Sequence, residues 1–246
     1  MKPTTSGESY GSAQLVEKQM LFKQVREATH RSPTAKTIHT FRYLTISRRV
    51  GSLGDAIAQE VAAALGWRIC DREIVDSIAQ NSHVRQSLVS ELDEKAQGML
   101  YDRVQRLMQM PGGDSFGIEE YHAGLLKTLT YLAARGELII VGRGSNFILR
   151  DDYNGLHVRV TAPKEVRARR LSKRWSVSIA EAQRRLRELD DERREFVREH
   201  FRADIDDPHA YDVVFDTNRM TVHQVTSAIL AVIRTPVYGG EADVGQ

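Results

Sequence analysis

The chain has one cysteine, Cys70, among 246 residues, so no disulfide can form within it. A single thiol suits a reducing compartment, and the expectation is a cytoplasmic protein. No apolar run nears the roughly eighteen residues needed to cross a bilayer, so no membrane partner is expected. The opening residues hold no apolar core of a secretory leader, in keeping with that expectation. Histidines and carboxylates nowhere adopt metal-ligand spacing, and the eight histidines are scattered, so no metal site is assigned. No segment repeats. A net charge of +2 is too small to argue for nucleic acid. What remains, 41% apolar and 28% charged, is the composition of a soluble globular chain with enough length for a real core.

Against these absences one stretch stands out. Tyr43-Leu44-Thr45-Ile46 is a short apolar run that suits a buried strand. Gly51-Ser52-Leu53-Gly54 is a glycine turn, and Ile57, Val61, Ala64 and Leu65 follow at helical spacing. Strand, glycine turn and helix form the layout of a phosphate-binding loop, where turn N–H groups and the helix N-terminus meet anionic oxygens. The pattern G-x-x-x-x-G-K-[ST] fits it poorly. With Gly54 as the second glycine, the first falls on Arg49, the lysine on Asp55 and the hydroxyl on Ala56.

Further strands are predicted at Trp67 to Cys70, Leu138 to Val141, Leu156 to Val160 and Val213 to Phe215. The run Leu138-Ile139-Ile140-Val141 is continuous, as in a strand buried on both faces; Leu156 to Val160 alternates. Helices are predicted at 71–80, 84–110, 118–134, 163–174, 178–200 and 221–233, with a loop at 111–115. The alternation implies an α/β fold, doubly wound around a five-stranded parallel sheet. Residues 1–40 read as an extension, partly helical or disordered, 41–235 as the domain and 236–246 as a flexible tail. Ligands of such sheets bind beyond the carboxyl ends of the strands. Three features fall there: the glycine turn, Asp71, and Gly142-Arg143-Gly144. Between Arg159 and Arg202 there are also twelve arginines and only two lysines. That bias suits planar recognition of phosphate or carboxylate.

Several stretches share an order. They are Ile46-Ser47-Arg48 with the turn; Trp67 to Asp71 with Arg72-Glu73-Ile74-Val75; Ile140-Val141-Gly142-Arg143-Gly144; Thr161-Ala162-Pro163 with Arg167 and Arg170; Asp190 with Arg193; and Tyr211-Asp212 ahead of Asp216-Thr217. From about residue 42 to 233 the chain thereby resembles the cytidylate kinase-like family, a branch of the P-loop nucleoside monophosphate kinases. The resemblance implies a P-loop kinase core, a helical insertion over 72–135 on the monophosphate side, and a helical lid over 167–200. It implies Mg2+ with ATP as donor and a nucleoside monophosphate as acceptor. That branch often carries arginine in place of the loop lysine; Asp55 departs even from that.

The candidate ATP-phosphate site is Ser47, Arg48, Arg49, Gly51, Ser52, Leu53, Gly54 and Asp55. Ser47 or Ser52 would offer the hydroxyl, and Arg48 or Arg49 the missing cation. Asp71, Arg72 and Arg143 are the candidates for the monophosphate. Arg143, Arg167, Arg170 and Arg193 are the candidate catalytic cations, with Asp190 orienting Arg193. Each has a plainer alternative: a turn kept for packing, Asp71 as a helix cap, Arg143 in a surface ion pair, Arg167, Arg170 and Arg174 as a solvated stripe. Asp204 to Pro208 reads as a hinge or loop end. Three functions are open: an active ATP-dependent nucleoside monophosphate kinase; a catalytically impaired relative that binds nucleotide in a regulatory role; and an RNA-associated basic module over 159–202. The last is disfavoured, since only Trp175, Phe196 and Phe201 supply aromatics there.

Overall fold

The computed structural model describes residues 41–80, 116–150 and 152–235. The expected extension over 1–40, the helix over 84–110, the loop at 111–115 and the tail from 236 lie outside the described residues. Five parallel strands, β1 (Tyr43–Arg48), β2 (Arg68–Cys70), β3 (Leu138–Val141), β4 (Gly155–Thr161) and β5 (Val213–Asp216), lie in the order β2-β3-β1-β4-β5. Seven α-helices are described: α1 (Gly54–Leu65), α2 (Arg72–Gln80), α3 (Phe116–Arg135), α4 (Ser145–Ile148), α5 (Lys164–Trp175), α6 (Ile179–Phe201) and α7 (Val222–Arg234). The four-residue α4 carries too few residues to show a periodicity and is absent from the sequence reading.

The central strand β1 pairs with β3 on one side and β4 on the other. Leu44 and Ile46 point with Ile139, Val141, Leu156, Val158 and Val160 into one core, closed by Ile57 and Val61 of α1 and Val225, Ile229 and Ile233 of α7. As expected, β3 is buried along its whole length. β4 alternates in sequence, yet both of its faces are buried. His157 and Arg159 are as buried as their apolar neighbours, each at 5% exposure. The register sets them beside Thr45 and Ser47 of β1. Thr45 Oγ1 and His157 Nδ1 lie 2.8 Å apart, and Arg159 Nη1 donates to Ser47 Oγ at 2.8 Å. Alternation here separates two buried faces of different chemistry. Cys70 is buried at the end of β2, and that burial pushes its thiol up to about 11, as fits a small packing residue.

The expected lid region is a helical hairpin. α5 ends at Ser176 in a left-handed conformation, and Ser178 caps α6 by accepting from Glu181 N at 3.1 Å. Leu171, Ala182 and Leu186 hold the hairpin closed, with Val50, Trp175 and Val177 packed on them. α6 then runs back to the carboxyl edge of the sheet. Its last residue, Phe201, stacks on Phe147 of α4 with centroids 5.7 Å apart. It also lies so close to Gly144 that a Cβ there would clash with the ring. The segment after α6 is anchored: Asp206 accepts from Arg49 at 2.7 Å and from Arg159 at 2.5 Å. No described helix is long and apolar enough to cross a membrane.

Candidate functional site

The glycine turn delivers β1 into α1 through two left-handed residues, Gly51 at φ 77° and Leu53 at φ 66°. Among the described residues no side chain caps α1, so its opening N–H groups and positive dipole end are left without a side-chain partner. A glycine is demanded just ahead of such a helix where the backbone is left-handed. That residue is Leu53, while Gly54 is already helical. The fitted pattern therefore moves back one residue. Arg48 takes the place of the first glycine, Gly54 that of the lysine and Asp55 that of the hydroxyl. The sequence hid this register because leucine does not advertise positive φ.

A cleft of about 140 Å³ opens at the carboxyl ends of β1 and β3. Ser47, Arg48, Gly142, Arg143, Gly144, Asn146 and Phe147 form its floor and sides. Arg72 of α2 enters from one edge, and Glu192, Arg193, Phe196 and Val197 of α6 cover it. Four of the predicted arginines, Arg48, Arg72, Arg143 and Arg193, thus converge on one space, with Glu192 as the carboxylate among its lining residues. Arg143 is more than a surface cation. Its Nη2 donates to Asp76 Oδ2, its guanidinium lies 4.8 Å above the Phe196 ring, and its Nε is buried with no hydrogen-bond partner. Asp71 is outside this lining and caps α2, its Oδ1 accepting from the N–H groups of Glu73 and Ile74 at 3.1 Å.

Other candidates are fully occupied elsewhere. Arg167 is 2% exposed; its guanidinium donates to Asp190 at 2.8 Å, to Val50 O at 3.0 Å and to Ala162 O at 2.9 Å. Arg170 binds Gly51 O at 3.3 Å and Thr217 through Oγ1 at 3.0 Å and O at 2.7 Å. Arg174 is exposed, so the Arg167, Arg170 and Arg174 stripe grades from core to solvent and is not one anion-facing row. Arg167 and Arg170 fix the loop's carbonyls, while the N–H groups of Arg49, Val50 and Ser52 bond to Val160 O, Asp190 Oδ1 and Arg49 O. Arg49 is held by Asp206 and stands 3.6 Å from Asp190. Ser52 is buried and donates inward to Arg49 O at 2.8 Å, and Ser47 is engaged by Arg159. Asp190 does not pair with Arg193 in the expected i,i+3 manner. It holds Arg167, while Arg193 donates to Arg48 O at 2.7 Å.

The electrostatics single out Arg193. Burial, and next the neighbouring Arg48 charge, push its guanidinium down to about 10. An anion placed between Arg193 and Arg48 would relieve this disadvantage. Tyr121 donates to Asp76 Oδ1 at 2.8 Å; burial and that bond both push its hydroxyl up. Asp76, Tyr121 and Phe196 were not picked out as site residues. Asp76 had one visible signal, its i,i+4 spacing from Arg72, whose Nε lies 3.8 Å away.

Comparison with known proteins agrees with this geometry. The profile described as the cytidylate kinase-like family matches residues 43–219. The cytidylate kinase of Methanopyrus kandleri is 31% identical over 109 residues, covering 41% of this chain and 56% of that protein. That of Methanocaldococcus jannaschii is 30% identical over 106 residues, covering 42% of this chain and 58% of its own. The chain thus spans little more than half the length of these curated relatives. The crystal structure of an uncharacterized protein from Eubacterium ventriosum superposes with a TM-score of 0.60 at 19% identity, covering 80% of this chain and 98% of that one. At that identity the likeness speaks for the fold.

Proposed function

The chain belongs to the cytidylate kinase-like family, and from that premise we propose that it transfers the γ-phosphoryl of ATP to a nucleoside monophosphate, cytidylate first among the candidates. One observation carries the reading: four arginines converge on the cleft at the carboxyl ends of β1 and β3, lined by Arg48, the last residue of β1 before the uncapped turn. Phosphoryl transfer asks a protein for positioning and positive charge around the moving group, and little else. The uncapped α1 N-terminus suits the donor's phosphates. Arg143 and Arg72 line the side where the acceptor's phosphate would lie. Arg193, Phe196 and Val197 line the same space from α6, where closure over the substrates would keep water from the γ-phosphate.

Mg2+ would enter with the triphosphate, neutralising its charge. Among the described residues there is no cluster of three or more ligating side chains to hold the ion without nucleotide. Asp55, at the hydroxyl's place in the first turn of α1, is the carboxylate at the loop's mouth. The test is a coupled assay of Mg-ATP against a panel of ribo- and deoxyribonucleoside monophosphates. Turnover is expected, with cytidylate preferred, and Arg143→Ala should lower kcat/KM by about 100-fold or more.

A second reading has its own observation. Gly54 leaves the lysine's place without a side chain, and Ser52 turns its hydroxyl inward. Nucleotide binding without product from any monophosphate would favour a binding protein descended from the enzyme.

A further inference from the structure

The place left bare by Gly54 is filled by an arginine from the preceding strand. Arg48 is the last residue of β1. A Cβ built on Gly54 would lie 2.6 Å from Arg48 Cβ and 2.9 Å from its Cγ. One built on Gly142 would lie 2.8 Å from Arg48 Nη1. The Arg48 stem therefore crosses Gly54, and its guanidinium rests on the glycine turn after β3. Gly54 is helical, so nothing about its backbone calls for glycine, and glycine there costs helix stability. Close approach of the Arg48 stem accounts for it. The guanidinium borders the cleft, and its Nε donates to Asp55 Oδ1 at 2.9 Å, with the Arg48 side chain 17% exposed and Asp55 65% exposed. The nearby alternatives are committed: Arg49 to Asp206, Arg167 to Asp190, and Arg170 to Gly51 and Thr217.

We propose that Arg48 is the phosphate-clamping cation of this loop: it reaches the donor's terminal phosphates across Gly54, from the strand side, where the usual loop reaches them with a lysine from the helix. Asp55 holds the guanidinium until the phosphates displace it. This rests on the phosphotransferase reading for its biological sense, but its core is testable without catalysis. A lysine needs the space that Arg48 occupies, so the two solutions exclude each other, and exchanging one for the other is informative.

The probe is inorganic tripolyphosphate, titrated calorimetrically without metal, with Mg-ATP in parallel. Arg48→Ala should weaken tripolyphosphate binding about tenfold or more, as expected for loss of a charged hydrogen-bonding partner. Gly54→Ala should weaken it without removing any charge, because the new Cβ displaces the Arg48 stem. Arg48→Ala combined with Gly54→Lys should bring binding back to within about threefold of the natural chain. Asp55→Asn should tighten it. Arg48→Gln, with melting curves for every variant, separates lost binding from lost folding. Equal binding by the natural chain and Arg48→Ala, no tripolyphosphate binding by the natural chain, or no rescue by the folded double variant overturns the proposal. The two readings fail separately. Arg48-dependent tripolyphosphate binding with no turnover of any monophosphate removes the kinase and leaves the clamp. Turnover and binding untouched by Arg48→Ala remove the clamp and leave the kinase.

Discussion

Asp190 and Asp191 are neighbours on α6 with opposite fates. Asp190 is 10% exposed and holds Arg167, itself 2% exposed, against the loop carbonyl of Val50. Asp191 is 67% exposed and pairs with Arg194 in solvent. Removing one partner of a buried pair strands a charge that has no water, whereas an exposed pair is screened and weak. Asp190→Ala should therefore lower unfolding free energy by about 3–5 kcal/mol, and Asp191→Ala by less than about 1 kcal/mol, both read by urea titration. Asp190→Ala should also weaken phosphate binding, because Arg167 is what fixes Val50 O behind the turn. A small stability loss at Asp190 would mean that Arg167 finds water, and that the loop is less rigid than its bonds suggest.

At the scale of elements, the contact that matters most is the C-terminal end of α6 against the Gly142–Gly144 turn and α4. His200 lies 4.4 Å from the Phe196 ring and 5.8 Å from the Tyr121 ring. Burial, and next the Arg143 charge, hold its imidazole below the ordinary 6.5. The unfolded chain takes up that proton first, so stability is full above about 6.5 and falls as pH drops through and below that value. Near-ultraviolet circular dichroism during acid titration should show α6 loosening there, and His200→Phe should flatten the slope while keeping the aromatic packing. An unchanged slope in that variant would assign the acid sensitivity elsewhere. This contact also shows what the sequence could and could not disclose. The strand β3 and the glycine turns are legible because an apolar run and a glycine each report their own local state. The partners of Arg143 and Arg167 are not. An i,i+3,i+7 stripe says that three arginines share a helix face, but what faces them is set by a hairpin bringing Asp190 back from 23 residues away. Asp76 meets Arg143 across 67 residues in the same way. The loop register failed for a related reason, since Leu53 adopts a conformation that its residue type does not signal.

For the whole molecule, the net charge of +2 creates little long-range field, so attraction for anions must come from where the arginines sit. Some exposed arginines are neutralised locally: Arg184 and Arg185 are paired with Glu181, which they hold down at about 2. In the cleft, Arg193 is partly buried beside the like charge of Arg48. Two consequences oppose each other. Without ligand, Arg193 strains the fold; with a polyanion, it helps to stabilise it. Saturating tripolyphosphate, at about 100 times its dissociation constant, should add about 2.7 kcal/mol by mass action, or roughly 5–10 °C in Tm for a domain of this size. Sodium chloride at matched ionic strength should not reproduce the shift, because a diffuse field would be screened and a local site is not. Arg193→Met should melt at or above the natural chain when unliganded and lose most of the tripolyphosphate shift. Were the variant to melt lower and keep the shift, Arg193 would be a structural tie to the Arg48 carbonyl, and the charge that greets the phosphates would have to be Arg48, Arg72 and Arg143.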